Sequence, residues 1–204
     1  MVPDEIKSLA SLTRLNGHGP PAVRNKQPDL RSRRMHELTG PGSDFFAIVS
    51  AAQHARDVIW IALRRDLETL CPSGLQAYLD PDRVTLVEAV SRGEALWAAD
   101  QALRAEGGFC VILDSADALS LKESRRLQLA AEQGGGLGLI LLRGPADSSA
   151  AQTRWDCRPV LADQPSWAWD CVKGKNGEAG TWHIAHDGEQ NATDTLHMAL
   201  AAAP

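Results

Sequence analysis

Residues 40–47 resemble a phosphate-binding loop that has lost most of its ligands. In the pattern Gly-x-x-x-x-Gly-Lys-Ser/Thr, backbone N–H groups wrap the phosphates, the lysine neutralises them, and the hydroxyl binds Mg²⁺. The first glycine is present, but aromatic and alanine side chains replace the second glycine, the lysine and the hydroxyl residue. Losing one charge-assisted contact costs about 1.5–3 kcal/mol. We therefore expect no tight triphosphate binding at this degenerate loop, which consists of Gly40, Pro41, Gly42, Ser43, Asp44, Phe45, Phe46 and Ala47.

The degenerate loop and a second candidate residue, Asp114, each have an ordinary structural interpretation as well. Residues 40–47 also have the composition of a Pro-Gly turn that precedes an amphipathic helix. Asp44 adds a negative charge beside the expected phosphates, which favours the turn. Further along, Asp114 ends the apolar segment 109–113, as in the Walker B strand that helps to position Mg²⁺. Taken singly, Asp114 is equally typical of a turn residue at the end of a strand.

Cysteine and histidine spacing favours neither a metal site nor a disulfide framework. The four cysteines lie far apart and no pair has metal-ligand spacing. His183 and His186 are three residues apart, but no cysteine or carboxylate pattern accompanies them. We expect no metal and no cofactor.

The elements that must position these residues alternate between strands and helices. Short apolar runs at 58–63, 84–87, 109–113 and 137–142 predict buried parallel strands. A stripe at 45, 48, 49 and 52 predicts a helix directly after the degenerate loop. Serines that precede Glu or Gln by three residues predict three more helix starts, at Ser73, Ser91 and Ser120. The expected fold is therefore α/β, a mostly parallel sheet with helices on both faces.

The two ends of the chain have a different texture. Residues 166–172 alternate in polarity, as in a strand, and residues 173–177 have the composition of a turn. Residues 181–185 would form the second strand, so the pattern predicts an antiparallel hairpin at the sheet edge. Trp167 and Trp169 share one face of the first strand, and Trp182 is expected opposite them. We divide the chain into a flexible N-terminal arm (1–35), a core (36–187) and a C-terminal tail (188–204) whose alanines predict a frayed helix.

Composition narrows the function classes. The 204 residues carry a net charge of −5, and 44% of them are hydrophobic. Residues 1–38 hold seven basic and four acidic residues, whereas the remainder holds fourteen basic and twenty-two acidic ones. An acidic body argues against nonspecific DNA binding as the main activity. With no apolar run of ~20 residues and no secretory signal pattern at the N-terminus, we expect a cytoplasmic protein without membrane contact.

The order of these elements resembles the RecA recombinase core across residues 36–185, and implies a RecA-like P-loop NTPase fold. The matching residues are Gly40-Pro41 with Ser43, Gly93-Glu94-Ala95-Leu96, Leu113-Asp114-Ser115 with Ala118-Leu119, and Val172-Lys173 through Lys175. The strand at 59–63 ends in Leu63-Arg64-Arg65, where RecA carries its catalytic glutamate. Because lysine, hydroxyl and glutamate are all missing, we expect no ATP hydrolysis and no enzyme activity.

The chain also resembles the ImuA group of degenerate RecA-like proteins, which is related to the SulA cell-division inhibitors. The segments that carry this resemblance are 36–38, 124–132, 153–155, 173–177 and 180–182. It implies an accessory of DNA-damage-induced translesion synthesis (SOS mutagenesis). The implied partners are an ImuB-type Y-family polymerase relative, an error-prone replicative-type polymerase and RecA. The alternatives are a SulA-like inhibitor that binds the tubulin-like division protein, a residual nucleotide-binding regulator, and a single-stranded DNA-binding RecA paralogue.

In RecA-like proteins the loop after the strand that here ends at Leu142-Arg143 faces DNA. By this resemblance Arg154 is expected to grip a single strand and Trp155 to stack on it. The alternative, which the mixed charge of the region favours, is that Trp155 packs on the core and Arg154 is solvated. The candidate contacts with DNA or a partner are Arg143, Arg154, Trp155, Lys173 and Lys175.

Overall fold

The computed structural model describes residues 28, 30–54, 57–68, 70–115, 117–145, 148–175, 180–186 and 196–200. These residues form one mixed nine-stranded sheet with helices on both faces. The strands are β1 (Arg34–Thr39), β2 (Val58–Leu63), β3 (Val84–Ala89), β4 (Cys110–Ser115), β5 (Leu137–Leu142), β6 (Thr153–Val160), β7 (Ser166–Gly174), β8 (Gly180–His186) and β9 (Leu196–Leu200).

The strand order is β3-β2-β4-β5-β1-β6-β7-β8-β9. All pairs from β3 to β6 are parallel, and all pairs from β6 to β9 are antiparallel. The predicted α/β class, the mostly parallel sheet and the antiparallel hairpin are therefore confirmed. Trp169 pairs directly with Trp182 across that hairpin, as its alternation predicted.

Five α-helices connect the strands among the described residues: α1 (Ser43–His54), α2 (Arg64–Leu67), α3 (Pro72–Gln76), α4 (Arg92–Arg104) and α5 (Leu121–Gly134), with a 3₁₀ turn at Pro81–Arg83. Side chains of successive strand residues point to opposite faces. Trp60, Ile112 and Leu139 therefore join a core with α1 and the segment around α3. Ile61 and Ile140, their neighbours in sequence, join a second core under α4 and α5.

Two of the three expected serine caps are present. Ser91 accepts a hydrogen bond from the Glu94 N–H at 3.2 Å. Ser120 forms a complete capping box with Glu123 at the start of α5. The prediction for Ser73 is wrong, because α3 begins at Pro72 and its N-cap is Cys71. Proline favours the first helical position, since its fixed φ suits a helix and its missing N–H would have had no partner there.

Both ends of the core differ from the sequence-based expectation. Residues 35–39, which contain none of the apolar runs that predicted strands, belong to β1, and this strand lies inside the sheet between β5 and β6. Leu30 is also buried, so the folded part begins before residue 36. The prediction of a frayed C-terminal helix is wrong, because Leu196–Leu200 forms β9, which pairs with β8. The open edge of β8 offers backbone hydrogen bonds that override the helix propensity of alanine.

None of the helices in the described ranges has both the length and the apolar character needed to cross a bilayer. The same residues contain no group of three or more His, Cys, Asp or Glu side chains arranged to hold a metal ion.

Candidate functional site at the degenerate loop

The degenerate loop lies where the carboxyl ends of β1, β4 and β5 meet. Ligands of open α/β sheets bind at this edge. Gly40 directly follows β1 and has a φ of +85°, a conformation that disfavours side chains. A Cβ at Gly40 would also lie only 2.5 Å from the carbonyl oxygen of Cys157 in β6. The loop is therefore held tightly against β6 and needs glycine at this position.

Backbone N–H groups of the loop already have acceptors within the protein. Gly42 N–H donates to the Cys157 carbonyl at 2.9 Å, and Ser43 N–H donates to the Gly40 carbonyl at 3.2 Å. Phe46 N–H donates to the Gly42 carbonyl at 3.1 Å in the first turn of α1. A phosphate site needs such N–H groups free and directed at the ligand. Three donors that would cradle a phosphate are instead used to fix the turn.

A three-residue ion pair, which we call the Asp44–Arg143–Asp114 triad, lies beside the loop. Arg143 directly follows β5 and donates to both oxygens of Asp114, with Nε–Oδ1 at 3.1 Å and Nη2–Oδ2 at 2.6 Å. It also donates to Asp44 in α1, with Nη2–Oδ1 at 3.0 Å and Nη1–Oδ2 at 3.3 Å. The Asp114 side chain is only 4% exposed, against 41% for Arg143. Hydrogen bonding to Asp114 holds the pKa of Arg143 above its ordinary value.

The residues at this site do not fit a magnesium–nucleotide complex. Phe46, at the lysine position of the pattern, is fully buried against Trp155 and Trp169, with ring centroids 5.2 and 4.5 Å away. Burying such a ring contributes about 1.5–3 kcal/mol to folding, so Phe46 is a core residue. Both oxygens of Asp114, which the sequence suggested as a Walker B acid, accept from Arg143. The positive charge at this edge thus belongs to the protein and is neutralised by its own carboxylates.

The end of β2 carries no carboxylate where the resemblance to RecA implies a glutamate. Arg64 Nε lies 2.9 Å from Glu88 Oε1 on β3, and Arg65 Nε lies 3.7 Å from Asp66 Oδ1. Both arginine side chains are more than 70% exposed. Exposed pairs of this kind contribute little to stability, and they place no general base next to Asp114.

The other predicted contact residues lie along β6 and β7. Trp155 is 1% exposed, packs against Trp182 at 5.0 Å, and donates from its indole to Thr153 Oγ1 at 2.7 Å. Its ring therefore packs in the core, which was the alternative to base stacking, and offers no face to a nucleic-acid base. Arg154 is directed inward, because its Nη2 lies 2.8 Å from Oε2 of the buried Glu37. Nucleic-acid or partner contact by Arg154 thus competes with a buried ion pair.

Both lysines hold the loop that follows β5. Lys173 Nζ donates to the Ser149 carbonyl at 2.7 Å, and Lys175 Nζ donates to the Ala150 carbonyl at 2.5 Å. Desolvation lowers the pKa of Lys173. The Ser149 hydroxyl in turn donates to Glu37 at 2.8 Å. These contacts join the loop to β1 and β7, and a role of either lysine in partner binding stays a prediction.

Sequence reasoning missed a groove beside the triad, which we call the aromatic groove. Its volume is about 340 Å³. Phe45 stacks on Trp167 at 3.8 Å with an interplanar angle of 20°, and meets Tyr78 edge-on at 5.0 Å. The lining brings together residues from five regions of the chain: Asp44, Phe45, Ile48, Leu70, Cys71, Gly74, Leu75, Tyr78, Asp114, Arg143 and Trp167. The half-apolar pattern of residues 70–78 is the one signal that could have indicated it.

Fold and site together define an α/β protein with a degenerate loop at the carboxyl ends of its parallel strands. The Asp44–Arg143–Asp114 triad lies beside this loop, where a ligand would otherwise bind. No protein-family model matches the chain. Two curated relatives, from two strains of Caulobacter vibrioides, are both named "Protein ImuA". Each is 29% identical over 145 residues, which cover 61% of this chain and 58% of the relative. The predicted resemblance to ImuA is confirmed, and the matched region spans somewhat more than half the length of these relatives.

Proposed function

We propose that this protein is a non-catalytic accessory of DNA-damage-induced translesion synthesis that acts by binding other proteins. The observation that carries the proposal is the Asp44–Arg143–Asp114 triad, which occupies the sheet edge where a nucleotide would bind. The similarity to ImuA supports the link to mutagenesis. Arg143 is engaged by both carboxylates at the position where a nucleotide would bind, so we expect the function to depend on protein-binding surfaces.

We further propose that the fold is a degenerate RecA-like P-loop fold. The degenerate loop follows β1 and leads into α1, and an acid-tipped strand, β4, ends at the same edge of the sheet. Antiparallel strands follow the parallel part, as the resemblance to RecA implies. The fold would then survive as a scaffold after the ATPase residues were lost.

The proposed partners are an ImuB-type Y-family polymerase relative and an error-prone replicative-type polymerase, with RecA as a further candidate. We test this by affinity capture of the tagged full chain from its own cells, with and without DNA damage, followed by mass spectrometry. Recovery of both polymerases after damage is the expected result. Recovery of the tubulin-like division protein in their place would overturn the proposal in favour of a SulA-like inhibitor.

The non-catalytic part of the proposal has its own test. We expect a fluorescent ATP analogue with Mg²⁺ to show no saturable binding up to near-millimolar concentration, because the loop N–H groups and Asp114 are already engaged. The chain should also sustain damage-induced mutagenesis when Arg143→Gln and Asp114→Asn are combined, provided that the variant accumulates normally. Saturable nucleotide binding, or loss of mutagenesis in a stable double variant, would indicate a residual nucleotide-dependent role.

A further inference from the structure

The aromatic groove presents apolar walls that the rest of the described chain does not cover. Phe45, Ile48, Leu75, Tyr78 and Trp167 are all half-buried and face one concavity on the α1 side of the sheet. Desolvation raises the pKa of Tyr78, as expected for a phenol in a partly dry setting. With a volume of about 340 Å³, the groove lies at the small end of ligand sites, which span ~300–1,000 Å³. It has room for one or two large side chains.

The charge at the polar end of the groove favours a cation. Asp44 and Asp114 contribute two negative charges and Arg143 one positive charge, so the lining is net negative. Both oxygens of Asp44 accept from Arg143, but the side chain remains 39% exposed, so an incoming donor can share this carboxylate. Asp156, Asp170 and Asp44 also help to raise the pKa of the neighbouring Cys157 thiol, after desolvation, the largest cause. A phosphate is repelled by this field, whereas an ammonium or guanidinium group is attracted and can also lie over an aromatic face.

We propose that the aromatic groove binds a short segment of a protein partner in which a large aliphatic or aromatic residue stands next to a lysine or arginine. The apolar side chain would fill the space between Leu75 and the Phe45–Trp167 stack, and the cation would meet Asp44. The choice of a protein occupant rests on the proposed function; the apolar and cationic chemistry rests on the groove alone. Such anchors, buried in a pocket and rimmed by charge, dominate the binding energy of protein interfaces.

The test selects random dodecapeptides displayed on phage against the immobilised full chain, and then measures the affinity of the enriched peptide by fluorescence anisotropy. We expect enriched peptides to pair a large apolar residue with Lys or Arg. Leu75→Ala is expected to weaken binding about tenfold through loss of apolar contact. Asp44→Asn is expected to weaken it about threefold to fivefold, the effect of one partly exposed ion pair.

Trp97→Ala is the matched control. Trp97 is 58% exposed on α4, on the opposite face of the sheet, so its removal should leave the affinity unchanged. Exchanging the basic residue of the peptide for glutamine should abolish the effect of Asp44→Asn, because the two charges form one pair. Thermal unfolding checks that each variant is folded. Asp44→Asn changes only a partly exposed group, so it keeps the test decisive if Leu75→Ala does not fold.

Three results would overturn the groove as a peptide site: no enrichment, enrichment of acidic peptides, or equal losses from Leu75→Ala and Trp97→Ala. The affinity capture of polymerases distinguishes failure of the groove proposal from failure of the proposed function. Capture that persists in folded groove variants would reject the groove as the polymerase-binding site and leave the function standing. Peptide selection with the expected chemistry, in a chain that captures no polymerase, would reject the function and leave the groove.

Discussion

Arg143 donates to carboxylates that lie 99 and 29 residues away in the sequence, one at the start of α1 and one at the end of β4. It therefore joins three elements at the edge of the sheet where the loop lies. Breaking a hydrogen-bonded pair that contains a buried charge costs more than the pair contributes, because the remaining charge is left without compensation.

We expect Arg143→Gln to lower the free energy of unfolding by about 1–3 kcal/mol, since Asp114 loses two donors and faces Asp44 without a cation between them. Urea unfolding measures the change. Arg158→Gln is the control, because Arg158 also pairs with two carboxylates, Asp156 and Asp170, but neither of them is as buried as Asp114. Adding Asp114→Asn to Arg143→Gln should recover part of the loss. An Arg143→Gln protein as stable as the wild type would show that the triad has no structural role.

Glu123 joins α4 to α5 and makes part of the stability pH-dependent. Hydrogen bonds from Arg92, at 2.6 and 3.0 Å, are the largest cause that lowers the pKa of Glu123 from 4.5 to about 2, and Ser120 adds to it. Because this pKa is depressed in the folded protein, the contribution is complete above about pH 4.5 and is lost as the pH falls toward 2.

We therefore expect Glu123→Gln to destabilise the protein by about 1–2 kcal/mol at neutral pH, a value kept low because the carboxylate is partly exposed to solvent. The difference from the wild type should shrink as urea unfolding is repeated from pH 6 down to pH 3. Glu94→Gln, at the equivalent position of α4, is the control, since Glu94 accepts from the Val90 N–H. A difference that stays constant with pH would contradict the assignment to Glu123 ionisation.

At the scale of elements, three serines have the same capping-box spacing in the sequence, but only two of them cap a helix. Ser120 and Ser91 accept from the N–H groups of Glu123 and Glu94, at 3.3 and 3.2 Å, whereas Ser73 lies inside α3. We expect Ser120→Ala and Ser91→Ala to cost about 1 kcal/mol each, and Ser73→Ala to be nearly neutral. Thermal and urea unfolding of the three variants provide the comparison. A loss at Ser73 equal to the other two would mean that α3 begins later than observed.

Elements with a strong local signal could be predicted, and elements set by distant partners could not. β2 and β5 follow from continuous apolar runs that match buried parallel strands. β1 was not predicted as a strand, because His36 and Glu37 are polar residues that are typical of loops. In the fold both are buried and paired across the sheet, His36 Nδ1 with Thr153 Oγ1 at 2.7 Å and Glu37 with Arg154.

The candidate site shows the same division. The loss of phosphate ligands at Phe45, Phe46 and Ala47 is local and could be predicted from the spacing alone. The triad and the aromatic groove could not, because Arg143 is 99 residues from Asp44, and Trp167 is remote from Tyr78 in sequence. Side chains brought together by the sheet leave no periodic trace in the chain. Sequence reasoning therefore identified what the loop lacks, but not what replaces it.

At the scale of the whole molecule, the sheet divides into a parallel part that holds the candidate site and an antiparallel part that supports it. β6 belongs to both, since it pairs in parallel with β1 and antiparallel with β7. Its Cys157 carbonyl anchors the degenerate loop, and Trp155 and Cys157 contribute to the core beneath it. β6 is thus the strand that physically connects the antiparallel hairpin to the degenerate loop.

The inner position of β1 has a consequence for the order in which the chain folds. β1 leaves the ribosome first of all the strands described, yet its partners are β5 and β6, and Glu37 pairs with a residue 117 positions later. Strands β2, β3 and β4 can pair as soon as they emerge, while β1 must wait, because closing so long a loop is entropically costly. On nascent chains of increasing length, we expect β1 to become protease-resistant only once residues through Val160 have emerged. Protection before residue 137 is made would show that β1 first pairs elsewhere.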